Sequence, residues 1–181
     1  MQSLKFLLTV SLLFGSQLAG AKHGGGNHGG GSIPNPTPVS PSNPTGSQIC
    51  MDHGQQLDFN NEQALQWRSE KASGFQSRAF ISGTVDQVFK DQTGHRHFSV
   101  KVGPNPQDHI EIIYNLSFGQ MPVPKVGDSA EACGDYIVAT KSNGGYPPSP
   151  DGALLHWVHK SPNHGHDDGF VVLNGSVYGD N

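Results

Sequence analysis

Charge is scarce in this sequence: Asp, Glu, Lys and Arg make up 14% of 181 residues, and the formal net charge is −4. Proteins that grip nucleic acid or an acidic membrane surface present a dense basic face, and a chain this poor in Lys and Arg argues against both partners. Neutral ligands and localised polar patches remain. Cysteine is equally scarce, with only Cys50 and Cys133, too few for a disulfide-dense scaffold and too far apart for the short ligand spacing of a thiolate metal site. Long apolar runs are missing as well. The one apolar stretch, Phe6 to Phe14, falls well short of the roughly 20 residues that span a bilayer. Nor does the chain contain His-Glu-x-x-His, a phosphate-cradling glycine loop, a nucleophile elbow or Cys-x-x-Cys.

What the sequence does have is glycine, proline and histidine, at 24, 13 and 10 residues. Lys5, the run Phe6–Phe14 and the small residues Ala19-Gly20-Ala21 have the layout of a secretory signal peptide over residues 1–21, cut after Ala21. No Cys follows the cut, so a soluble mature chain in the periplasm or outside the cell is expected. Residues 22–50 are a Gly, Pro and Ser-rich spacer that cannot offset its ordering entropy by burial. His23 and His28 within it read as part of a solvated tail. In an oxidising compartment a lone cysteine pair most often forms one bridge, here Cys50 to Cys133, which would tie the end of the spacer to the domain; two independent buried thiols are the alternative.

Residues 51–181 then form one domain. Asn60 starts a helix running to about residue 72, with Gln63 as its capping-box partner and Phe59 stapled onto Ala64. From Arg78 the apolar period changes to two. Ala79, Ile81, Gly83 and Val85 share one face of a first strand, Phe98, Val100 and Val102 of a second, and Ile110, Ile112, Tyr114 and Leu116 of a third. A fourth is expected over 130–138 and a fifth over 153–159. Asn174-Gly175 between apolar runs marks a closing hairpin within 169–178. Five short strands in about 80 residues with Gly/Pro turns fit a closed OB-like barrel over about 78–181 better than an open sheet with exposed edges.

If the apolar set faces inward, period two sends His95, His97, Ser99 and Lys101 to the outer face of the second strand and His109, Glu111, Ile113 and Asn115 to that of the third. An antiparallel hairpin around 103–108 sets Asn115 opposite His95 or His97. On the fifth strand, His156 and His159 would face opposite sides unless the strand ends between them; Ser161-Pro162 favours such an end, and His159 then joins His164, His166, Asp167 and Asp168 on a loop. Trp157 supplies an aromatic wall. The expected ligand-binding set is therefore His95, Asn115, His156, Trp157, His159 and His166, with His156, His159 and His166 as candidate ligands for a metal ion such as zinc.

Across Ile81 to Tyr178 the chain resembles a family of short exported bacterial proteins, domain of unknown function 3465. Its Gly-His-x-x-Phe is met by Gly94, His95 and Phe98, its Gly-Asp by Gly127 and Asp128, and its Gly-acid-Tyr by Gly134, Asp135 and Tyr136. The most specific stretch is His156, Trp157, His159, Pro162, His166, Gly169 and Phe170. Two departures are Tyr114-Asn115, where the family carries His-Asn, and a longer Pro-rich loop over 142–151. The resemblance implies where a site lies and carries no chemistry. From the residues, the leading expectation is an exported module that binds a small polar ligand, an oligosaccharide among them, or a metal ion. A metal- or histidine-dependent hydrolase acting on phosphodiester or glycan is the alternative, and a structural envelope protein the second.

Overall fold

The computed structural model describes residues 48–143 and 147–180. The signal peptide expected over 1–21 lies outside them, as does the spacer up to residue 47. In chain order the elements are β1 (Cys50–Asp52), β2 (Gln55–Leu57), α1 (Asn61–Glu70), β3 (Gln76–Val88), β4 (His95–Lys101), β5 (His109–Asn115), a 3-10 turn (Leu116–Phe118), β6 (Ser129–Val138), β7 (Ala153–His156), β8 (Phe170–Leu173) and β9 (Ser176–Tyr178). Among the described residues no helix is long and apolar enough to cross a membrane.

Strands β3 to β7 close a five-stranded barrel in the order β3-β4-β5-β7-β6 and back to β3. The long strand β3 makes closure possible. Its first nine residues pair with β6, Thr84, Val85, Gln87 and Val88 pair with β4, and a register shift between Val85 and Gln87 bends it from one partner to the other, as bulges do at barrel corners. Only β5 and β7 run parallel, and that crossover needs the long β6 excursion between them. The expected OB-like barrel is the observed one, with the β8–β9 hairpin extending it from β6. Asn174 and Gly175 both take positive φ there, as a two-residue hairpin turn requires.

Period two holds inside the barrel. Ile81, Phe98, Val100, Ile110, Ile112 and Leu155 are all buried inward. Tyr114 is fully buried too, its hydroxyl donating to the carbonyls of Phe118 and Gly119. Position 114 therefore points into the barrel, and the departure from the family's His-Asn removes nothing from the outer face.

Three local expectations are corrected. Asn60 does flank α1, but its side chain makes no cap; it bonds the Phe80 amide and the Arg78 carbonyl instead, and Gln63 bonds Gln66. Phe59 stacks on Phe80 at 4.0 Å between centroids rather than stapling onto Ala64. Contact with β3 outweighs the helix's own ends. The fifth barrel strand ends at His156, not 159. The β1–β2 hairpin had no counterpart in the sequence reading, because three-residue strands carry too little alternation to register.

That hairpin covers the outer face of β3, β6 and β8. A second small core forms beneath it from Cys50, Phe80, Cys133 and Phe170, and Cys50 and Cys133 are joined in a disulfide. Arg78, on the outer face of β3, is the polar keystone of this layer. It bonds the Met51 carbonyl, Asp135 on β6 at 2.7 Å, Cys133 Sγ and the Asp168 carbonyl.

Candidate functional site

The site residues come from four places that the barrel brings side by side. His95 opens β4 and stands in register with Asn115, which closes β5. His156 closes β7 opposite Asp135 of β6. Immediately beyond it, Trp157 takes φ +49°, a left-handed bend that stops the strand and turns the chain toward His159 and His166. That bend resolves the facing problem of His156 and His159.

Close backbone approach fixes the bent segment. A Cβ at Gly134 would lie 2.6 Å from the His156 carbonyl, and one at Gly169 would lie 2.3 Å from the Trp157 carbonyl and 2.9 Å from the His159 nitrogen. Only glycine fits against backbone at such range. These two glycines set where the His-Trp-Val-His segment lies on the barrel.

The side chains then form a continuous aromatic row. Ring centroids of His95 and His156 are 5.7 Å apart, His156 and Trp157 4.5 Å, Trp157 and His166 6.1 Å, and His166 and His159 5.2 Å. His159 ends the row, buried and stacked at 3.6 Å on Phe118. The expected ring residues thus touch neighbour to neighbour along this row, whereas His164 is exposed on the loop. Asn115 is beside them in register, but its carboxamide oxygen accepts from both the amide and the hydroxyl of Ser117. What it can offer a ligand is the Nδ2 donor.

Hydrogen bonding fixes the tautomers. Nδ1 of His95 faces the Thr93 carbonyl at 3.1 Å, that of His159 the Lys160 carbonyl at 2.7 Å, and that of His166 the Asp167 carbonyl at 2.8 Å. A carbonyl only accepts, so each Nδ1 carries the proton, and in the neutral ring each Nε2 keeps its lone pair.

Burial and mutual repulsion keep two of these rings neutral. Burial foremost, then repulsion from His95, His159 and His97 against a weaker pull from Asp135, takes His156 from its ordinary 6.5 down to about 4. Burial also lowers His159, opposed by its bond to the Lys160 carbonyl and reinforced by His166 and His95. This sets a pH dependence for the metal-free chain. Above about pH 6.5 the His156 imidazole is neutral folded and unfolded, and no stability is lost; between 6.5 and 4 the unfolded chain binds a proton that the folded chain refuses. Stability should therefore fall as pH falls through that window, measured as denaturation midpoints at pH 7.5 and 5. His156→Gln should flatten the slope, and an equal slope in both proteins would refute the assignment.

Farther along the same outer face, His97 Nδ1 and Glu111 form a largely buried pair at 2.9 Å, and Ser99 donates to Asp151 at 2.5 Å. Burial raises Asp151, against the Ser99 bond. The face is polar over the length of β4. A separate grouping was missed by sequence reading: among the described residues, Asp52, His53 and Asp167 are a trio whose ligand atoms all lie within 4.8 Å of one another. His156, His159 and His166 are not part of that trio. Asp52 closes β1 and His53 opens the turn of the unanticipated β1–β2 hairpin, His53 lying 114 residues from Asp167, so no spacing pattern signals them.

The fold is that of a small β domain, a closed OB-like barrel that carries a row of imidazoles. The chain belongs to the family described as "Protein of unknown function (DUF3465)", which matches residues 52–179. No curated protein matches it.

Proposed function

We propose that this is an exported binding module whose imidazole row holds a transition metal ion, with His156, His159 and His166 as ligands and His95 beside them. The tautomers carry the reading. Histidines that ligate metals characteristically donate their second ring N–H to a carbonyl or carboxylate, which orients the ring and leaves the other nitrogen to the metal. His95, His159 and His166 all do so, and burial keeps His156 and His159 unprotonated near neutral pH.

Ring spacing fits an ion for two adjacent pairs, while His156, His159 and His166 are not among the residues whose ligand atoms all lie within 4.8 Å of one another. Zn–N bonds of about 2.0–2.1 Å at a tetrahedral ion, with about 1.1 Å from nitrogen to ring centre, put two co-ligating imidazole centroids about 5 Å apart. The pairs His159–His166 and His95–His156 stand at 5.2 and 5.7 Å. A borderline ion with imidazole preference, such as Zn(II), suits such a donor set. A small polar ligand is the second reading, favoured by the Trp157 wall and the polar band that continues past His97 and Glu111.

The test uses the untagged full chain with His23→Ala and His28→Ala, which removes the spacer imidazoles. Titration calorimetry with Zn(II) should give saturable binding, and His156→Ala and His159→Ala should each weaken it at least about tenfold, the scale produced by loss of even an outer partner. Undiminished affinity in both variants would overturn the metal reading.

A further inference from the structure

We propose that the Cys50–Cys133 disulfide gates the imidazole row: its closure docks the β1–β2 hairpin firmly, and the docked hairpin holds the loop that carries His159 and His166 in place. The inference rests on the reading of that row as one site, and it makes the site complete only in the oxidised chain.

The two halves of the row are anchored differently. His95 opens β4 and His156 closes β7, so both are fixed by strand pairing in the barrel. His159 and His166 lie on the loop between β7 and β8. Two bonds tie that loop to the hairpin layer: the His53 amide donates to Asp167 Oδ2 at 2.7 Å, and Arg78 Nη2 donates to the Asp168 carbonyl at 2.5 Å. His166 follows these ties directly, because its Nδ1–H bonds the Asp167 carbonyl and its ring walls a cavity with Asp52, His53 and Arg78.

Both ties depend on the hairpin being docked. Strands β1 and β2 form a sheet of their own, and a lone two-stranded hairpin is marginal in water. What holds it to the barrel is the disulfide, the bond from Arg78 to the Met51 carbonyl, and the small core of Cys50, Phe80, Cys133 and Phe170. Arg78 also links sulfur to loop: the Nη2 that bonds the Asp168 carbonyl lies 3.3 Å from Cys133 Sγ. A displaced sulfur is therefore felt at Asp168.

Closure is a thiol–disulfide exchange with a disulfide-bearing oxidant. The Cys50 thiolate attacks one oxidant sulfur and releases the other as a thiolate; the Cys133 thiolate, its charge favoured by the neighbouring guanidinium, then attacks Cys50 Sγ and releases the oxidant as a dithiol. Two electrons and two protons pass from the cysteine pair to the oxidant. Before that step the hairpin docks more weakly, and a loosened His159–His166 half faces a fixed His95–His156 half.

The full chain with His23→Ala and His28→Ala is compared with the same chain carrying Cys50→Ala/Cys133→Ala, which mimics the open state without adding thiols that bind zinc themselves. In the metal-free proteins at low temperature, amide exchange is read at Ser161, His166 and Gly169, all bonded within the loop. It should quicken by about tenfold or more beyond any change in β4 and β5, the scale set by losing one or two hydrogen bonds. Zn(II) affinity by calorimetry should fall at least about tenfold. Asp167→Ala removes the acceptor of the His53 amide and leaves the disulfide, so it should quicken the same amides in part, and it decides the matter if the double variant does not fold. Loop exchange that rises no more than that of β4 and β5, or equal Zn(II) affinity with and without the bridge, would overturn the gate. If Zn(II) binds neither protein, the metal reading fails and hydrogen exchange alone decides the gate.

Discussion

Arg78→Met should lose about 3–5 kcal/mol of unfolding free energy, the range for breaking a buried charge pair from one side. Methionine keeps much of the volume, so the loss is electrostatic and not a cavity effect. Arg78 is 6% exposed and its guanidinium joins four partners from separate parts of the chain: Met51 on the hairpin, Cys133 and Asp135 on β6, and Asp168 on the histidine loop. Removing it leaves two carbonyls and a carboxylate short of a donor, and buried groups in that state carry their full desolvation penalty. Asp135 keeps 29% of its side chain exposed, so water will replace part of what it loses, and the lower half of the range is the better expectation. Arg78→Lys should recover only a fraction, because an ammonium cannot fork to four acceptors. Urea denaturation at pH 7 measures this, and a loss below about 1 kcal/mol for Arg78→Met would refute the keystone role.

Removing the disulfide by Cys50→Ala/Cys133→Ala should cost a similar amount. The bridge spans a sequence separation of 83, for which the loop-entropy relation gives about 4–5 kcal/mol. Two terms act in opposite directions. Alanine also loses the packing of two fully buried sulfurs against Phe80 and Phe170, whereas the hairpin keeps its Arg78 bond and β1–β2 pairing. A melting temperature lower by about 10 °C or more is expected for a domain of this size. The barrel strands should remain formed at low temperature, with the loss concentrated in the hairpin and the second core. A shift of under about 3 °C would contradict the bridge's stabilising role.

The barrel was legible in the sequence because its apolar side chains recur with period two on the inward face, even where, as at Phe80 on β3 and Cys133 on β6, the outer face is covered as well. Ala79, Ile81 and Val85 on β3, Phe98 and Val100 on β4, and Ile110, Ile112 and Tyr114 on β5 all point where alternation sends them. The same rule put His95 and Asn115 on the outer face and left His95 or His97 opposite Asn115, and the structure pairs His95 with it. What local pattern could not supply was the bend at Trp157, which depends on glycines 134 and 169 admitting backbone that β7 brings against them. Asn60 shows the opposite failure, a strong local capping signal overridden because β3 offers its side chain two better partners. Asp52, His53 and Asp167 were illegible for a third reason: their meeting depends on the β1–β2 hairpin folding over the β3–β6 face, and three-residue strands leave almost no trace in the sequence.

The proposed function requires His95, His156, His159 and His166 to respond as one site, with the Nε2 lone pairs of His95, His159 and His166 free. Nitrogen-15 spectra of the imidazoles at pH 7.5, with and without one equivalent of Zn(II), test it most directly. Nδ1–H tautomers are expected for His95, His159 and His166 in the free chain, and concerted shifts of the Nε2 resonances of His156, His159 and His166 on adding the ion. Nε2–H tautomers at these positions, or four rings that respond to Zn(II) independently or not at all, would contradict it.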